Sequence, residues 1–173
     1  GSYLALVYAG AIFGGYIADR VIGYQRSILL GAVFMAAGLF MISMPNQLLF
    51  DMGLATIIVG NGLFKPNIST MVGKLYSVAD GRRDSGFTIF YMGINLGSLL
   101  AGVICGAAAT AYGWQAAFVS AGIGMLLSLV VQATMAQRFL GDIGRMPAAQ
   151  RAALQRSKEQ KAPLTKQEVD RIK

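Results

Sequence analysis

The side chain whose chemistry is least at home in its surroundings is Lys65. Residues 52–72 contain no other Lys, Arg, Asp or Glu. An ammonium near the centre of a bilayer costs on the order of 2.5–3.5 kcal/mol on insertion scales, so it needs a partner, a water-filled cavity or a shifted pKa. Snorkelling is the structural alternative, but the membrane surfaces lie ~12–20 Å away along the helix, about twice the reach of a lysine stem. A functional role in the interior is therefore expected. Beside it, Pro66 lacks an N–H and leaves the Gly62 carbonyl without its helical donor, and Gly60 and Gly62 loosen the same turn. These residues predict a helix kink at Gly62 and Pro66, of the kind tolerated at membrane depth where protein or water lines the backbone. Counted from the same end of their apolar stretches, Tyr8 lies about ten residues in, and Lys65 and Asn95 about eight. All three sit ~12–15 Å deep. A phenol, an ammonium and an amide at one level could line a single polar cavity. The alternatives are packing for Tyr8 and, for Asn95, an interhelical hydrogen bond worth about 0.6–2 kcal/mol.

No catalytic chemistry is legible beside them. The chain has no histidine, the commonest metal ligand and general base, and its lone Cys105 lies in an apolar run and can form no internal disulfide. No Ser/His or paired-Asp constellation falls at midplane depth. Neither an enzyme nor a metal or cofactor site is expected.

The elements that must position these side chains are helices that cross lipid. Of 173 residues, 55% are hydrophobic and 13% charged, the mean hydropathy is +0.55, and residues 27–50 and 87–137 carry no Lys, Arg, Asp or Glu at all. A helix rising ~1.5 Å per residue needs about 20 apolar residues to cross ~30 Å of hydrocarbon. The second stretch holds two crossings and a break at Tyr112-Gly113-Trp114-Gln115, where an aromatic pair suits the headgroup region. The pattern predicts an all-α integral membrane fold with five transmembrane helices, near residues 1–18, 27–44, 52–72, 87–111 and 116–137. No secretory signal is visible, and the chain opens already inside an apolar run.

Charge sets the orientation. The connectors at 19–26 and 73–86, together with residues 138–173, hold fourteen of the fifteen basic residues, whereas those at 45–51 and 112–115 hold none. By the positive-inside rule the basic side is cytoplasmic. Residues 138–173 read as a basic cytoplasmic linker, with capping-box spacing at Thr165 and Glu168. The net charge of +7 is thus a topological signal and not a nucleic-acid footprint. Small residues recur every four positions as Gly10, Gly14 and Ala18, as Gly93, Gly97 and Ala101, and as Gly102 and Gly106, which reads as close helix packing.

The run Gly14-Gly15-Tyr16-Ile17-Ala18-Asp19-Arg20-Val21-Ile22-Gly23, with Arg26 just beyond, resembles the signature between the second and third helices of the major facilitator superfamily. It is closer still to the form used by its proton-dependent oligopeptide transporters. Glycines there would let two helices meet at the cytoplasmic face, and Asp19 could cap a helix or pair with an arginine. Residues 87–99, with Phe90, Tyr91, Asn95 and Gly97, resemble the second peptide-transporter signature, and Gly62-Leu63-Phe64-Lys65-Pro66-Asn67 resembles the family's fourth-helix lysine motif. The three matches come in order and cover essentially all of residues 3–137.

The resemblance implies a partial N-terminal helical bundle, helices two to six of a transporter with at least twelve. That transporter would import di- and tripeptides with proton influx by alternating access, in a bacterial inner membrane. Its partners would be the small peptide, protons, the lipid bilayer, and the family's first helix and C-terminal half. On this resemblance Lys65 would meet the peptide carboxylate or an acidic coupling partner, Asn95 the peptide backbone, and Tyr8 would line the same pocket. Gly15, Asp19, Arg20, Gly23 and Arg26 would form a conformational latch. The family's Glu-x-x-Glu-Arg motif is not found in this sequence, and Asp19 and Asp51 lie at helix ends and cannot replace it, so this chain alone is not expected to transport. The alternatives are the same fold carrying nitrate or another small anion, and a truncated, non-transporting membrane fragment.

Overall fold

The computed structural model describes residues 2–77, 79–141 and 143–145. Its described regular structure is helical throughout: α1 Ser2–Ile17, α2 Tyr24–Ile42, α3 Gln47–Lys74, α4 Arg83–Tyr112 and α5 Trp114–Leu140. All five are long and apolar enough to cross a membrane. The expected linker lies outside the described residues from 146 onward, its Thr165–Glu168 box included.

The helices run further than the apolar stretches predict, because backbone hydrogen bonding does not stop where hydrocarbon does. α3 starts at Gln47, where the Asn46 side chain caps it by accepting from the Leu49 N–H at 3.2 Å. α4 starts at Arg83, with Asp84 in its first turn against the positive end of the helix dipole. The segment 19–26, expected as a loop, is mostly helical. Ala18–Ile22 continues α1 as a π-helical turn, closed by the Gly23 N–H donating to the Ala18 carbonyl at 3.0 Å. Only Gly23, at φ +83°, then separates that turn from α2, and only Gly113, at φ +88°, separates α4 from α5. Both angles lie in the region that glycine enters without steric cost.

Packing is organised around α3, which lies against α2 along most of its length and against α1 on another side. The seam between α2 and α3 is built on reciprocal glycine pairs. A Cβ at Gly31 would lie 2.7 Å from the Gly60 oxygen and one at Gly60 2.8 Å from the Gly31 oxygen; Gly38 and Gly53 repeat the arrangement at 2.8 and 2.9 Å. Only Cα–H groups fit there, a geometry that favours weak Cα–H···O contacts between antiparallel helices. α5 crosses α2 and pairs with α4, which touches α3 lightly. No residue of α4 is buried. The stripes at Gly93, Gly97, Gly102 and Gly106, expected to pack, meet nothing within 4 Å, because α4 turns to its neighbours through other residues. Buried apolar residues include Ala18, Ile28, Ala32, Ala36, Leu63 and Met71, while Phe13, Ile89, Leu99, Val103 and Leu127 stay exposed. That inversion is stable in hydrocarbon, where exposed apolar side chains carry no hydration cost.

Candidate functional site

The α1–α3 contact sets the geometry around Lys65. A Cβ at Gly14 would collide with the Gly62 carbonyl, and one at Gly62 would stand 2.5 Å from the Gly10 carbonyl. The Gly62 carbonyl is the group Pro66 deprives of its helical donor, so the close approach of Gly14 gives it a Cα–H neighbour. Helix α3 runs through Pro66 as one element from Gln47 to Lys74. Gly10 and Gly14, both in the small-residue stripe expected to pack, make the contact with α3, whereas Gly15, expected in the latch, projects about 100° away from it into open space.

This close approach brings Tyr8 and Lys65 together. The Lys65 ammonium lies 6.0 Å from the centroid of the Tyr8 ring, at the edge of cation–π range. Both side chains are exposed, so Lys65 is not buried within this chain as its depth suggested. The buried stripe of α3 is Gly60, Leu63, Asn67 and Met71. Lys65 lies two positions from both Leu63 and Asn67, about 200° around the helix, and is turned away from the packed face. Asn95 stands exposed on α4, and among the described residues it makes no hydrogen bond to Tyr8 or Lys65.

The interhelical amide of this bundle is instead Asn67. It is 1% exposed, and its Nδ2 donates to the Gly14 carbonyl at 3.3 Å and to the Leu63 carbonyl at 2.7 Å, tying α3 to α1 two residues from Lys65. Asn67 belongs to the lysine motif and falls in phase with the buried stripe, a period-3.6 signal that marks it as a core polar residue.

The predicted latch residues gather at the junction of α1 and α2 with partners that spacing did not reveal. The Asp19 carboxylate accepts from the Tyr24 hydroxyl and not from an arginine. Tyr24 reaches it because the π turn and Gly23 fold α2 back beside the end of α1. Arg20 lies 5.7 Å from the Tyr16 ring centroid, Arg26 is exposed, and Lys74 at the end of α3 sits 4.2 Å from the Tyr24 ring centroid. Gln25, also absent from the expected set, is 6% exposed. It shares the α2 stripe of Ile28 and Ala32, so its burial was legible from phase.

Beyond the bundle, the connector between α3 and α4 holds an ion pair, Arg82 with Asp80 at 3.0 Å. The Arg82 guanidinium and the Arg82 backbone N–H both donate to Asp80 and hold its carboxyl below the usual carboxylate range. Near the other end of α4, Cys105, Thr110 and Ala109 face Trp114, Ala117 and Phe118 of α5 across an apolar cleft.

With this geometry in view, the POT family model matches residues 25–143. A di-/tripeptide transporter of Lactococcus lactis subsp. lactis is 44% identical over 148 residues, which cover 84% of this chain and 30% of the relative. An uncharacterized transporter of Bacillus subtilis is 46% identical over 143 residues, 82% of this chain and 29% of the relative. Among solved structures, a peptide transporter POT variant in complex with alafosfalin superposes with a TM-score of 0.78 at 39% identity, covering 89% of this chain and 33% of that one. A POT family transporter in complex with 5-aminolevulinic acid gives 0.79 at 37% identity, covering 98% and 32%. The chain thus spans 29 to 30% of the length of these curated relatives.

Proposed function

The chain belongs to the POT family, and from that premise we propose that it forms part of the N-terminal membrane bundle of a transporter that imports di- and tripeptides with protons by alternating access. The observation that carries the reading is the approach of Lys65, which lies within the residues the family model matches, to Tyr8 on the open side of α3. An exposed ammonium held at midplane depth can meet a peptide carboxylate. A compact lysine head can also exchange that carboxylate for one on the protein. Proton coupling then follows from competition for one positive charge: protonating the competing protein carboxylate frees Lys65 for substrate. Asn95 contributes amide hydrogen bonds to the peptide backbone as α4 closes on α3, and Tyr8 limits the freedom of the lysine head.

At the junction of α1 and α2, Gly15, Asp19, Arg20, Gly23 and Arg26 act as a latch that holds the cytoplasmic end closed. Tyr24 secures Asp19 within it. The basic connectors face the cytoplasm, and the protein resides in a bacterial inner membrane, where a proton gradient is available.

The test is uptake of a labelled dipeptide into proteoliposomes under an acid-outside, inside-negative gradient, using the protein encoded by the whole reading frame and its Lys65→Ala form. Loss of a charge-assisted contact worth about 1.5–3 kcal/mol lowers uptake efficiency about 10- to 100-fold. Gradient-driven uptake that fails in the variant supports the reading. Uptake of nitrate in place of dipeptide would reassign the substrate to a small anion.

A further inference from the structure

The segment after α5 turns back beneath the bundle and is gripped by one side chain. Gly141 at φ +53° and Gly144 at φ +78° bend the backbone, while the Ile143 N–H donates to the Leu140 carbonyl at 2.9 Å. The bent segment ends on the first turn of α2. There the Gln25 N–H donates to the Gly144 carbonyl at 3.1 Å, and Gln25 Nε2 donates to the Gly141 carbonyl at 3.0 Å and to the Ile143 carbonyl at 2.6 Å. Gln25 Oε1 in turn accepts from Arg145 Nε at 3.2 Å. A single buried amide therefore donates to two backbone carbonyls of this segment and accepts from the side chain of a third residue. Gly144 also closes on α3, since a Cβ there would stand 2.9 Å from Met71 Sδ and 3.5 Å from Tyr24 Cβ. The residue before Gln25 is Tyr24, which holds Asp19 of the π turn and stacks with Lys74 of α3.

We propose that Gly141 and residues 143–145 form a strap whose docking on Gln25 locks the α1–α2 junction, so that the ends of α1, α2, α3 and α5 hold or release together. Tyr24 and Gln25 are consecutive in one helical turn. A shift of that turn large enough to break the Asp19 contact moves the Gln25 amide off its carbonyls, and release of the strap frees the turn. Coupling of this kind is reciprocal. The proposal concerns the cytoplasmic end of the bundle and stands whichever solute the transporter carries.

Gln25→Glu is the informative change, because it keeps the shape of the side chain and turns the donor facing two carbonyls into an acceptor. The measurement is amide hydrogen exchange of the full chain in lipid nanodiscs, followed by peptide-resolved mass spectrometry. Exchange is expected to rise at least ~10-fold both in 139–145 and in 18–25, the equivalent of 1.4 kcal/mol or more, with the α1–α3 contact at 56–64 unchanged. Gly144→Ala, which strains a positive-φ position without touching Gln25, should produce the same pair of increases. An increase confined to 139–145 in both variants would overturn the coupling, and no increase in either would overturn the strap itself.

Discussion

Asn67 and Lys65 are two residues apart and face opposite ways, and that difference decides what each can do. Asn67 points into the α1–α3 contact with its Nδ2 shared between the Gly14 and Leu63 carbonyls. Asn67→Ala leaves the Gly14 carbonyl without that donor and opens a small void. The expected cost is about 1–3 kcal/mol, read as a lower midpoint for unfolding of the purified protein in mixed detergent micelles. An unchanged midpoint would mean that water replaces the amide. Lys65, on the open side, contributes nothing comparable to packing, so Lys65→Ala should leave that midpoint within about 0.5 kcal/mol while lowering uptake. The motif could be read from the sequence as far as its lysine. The role of its asparagine needed the phase of the packed face as well, and Asn95, the amide given weight by depth, lies on a helix with no buried residue.

Between elements, the bundle is held by glycine pairs whose spacing differs from the pattern most visible in the sequence. Gly31 and Gly38 on α2 meet Gly60 and Gly53 on α3, seven residues apart on each helix, which keeps an antiparallel seam in register over two turns. The four-residue stripes on α4 are more regular as text, yet a Cβ at any of their glycines would meet open space. Gly60→Ala should therefore destabilise the protein by about 1–3 kcal/mol, since its Cβ would press on the Gly31 oxygen and on Met35 at 2.7 Å. Gly97→Ala is expected to fall within about 0.5 kcal/mol of the parent in this chain. Both follow from the detergent-unfolding midpoint, and equal effects at the two positions would refute the assignment of the seam. A glycine stripe says that close approach is possible; which helix makes the approach depends on the partner's shape.

On the scale of the whole molecule, the proposed threading of the membrane follows from charge asymmetry and from five helices long enough to cross it. Odd-numbered crossings and short turns leave the α3–α4 connector, with Arg82 and Asp80, on the side opposite the Gly113 turn. In a Cys105→Ser background, Gly81→Cys is expected to react with an impermeant maleimide only from the cytoplasmic face and Gln115→Cys only from the other. Labelling of both from one face would break the five-span topology.

The fold class and the five helices long and apolar enough to cross a membrane followed from composition and order alone. The cause is that lipid imposes a one-dimensional rule: about 20 apolar residues per crossing, with basic charge kept on one side. What tertiary structure decided was which faces meet. It turned Lys65 outward beside Tyr8, set Gly14 against the Gly62 carbonyl, gave Asp19 a tyrosine partner, and buried Gln25 under the segment that follows α5. These outcomes depend on rotation about each helix axis, where one residue is worth about 100°. Hydropathy carries little information about that angle in helices that are apolar on nearly every side, because lipid and protein interior accept the same side chains.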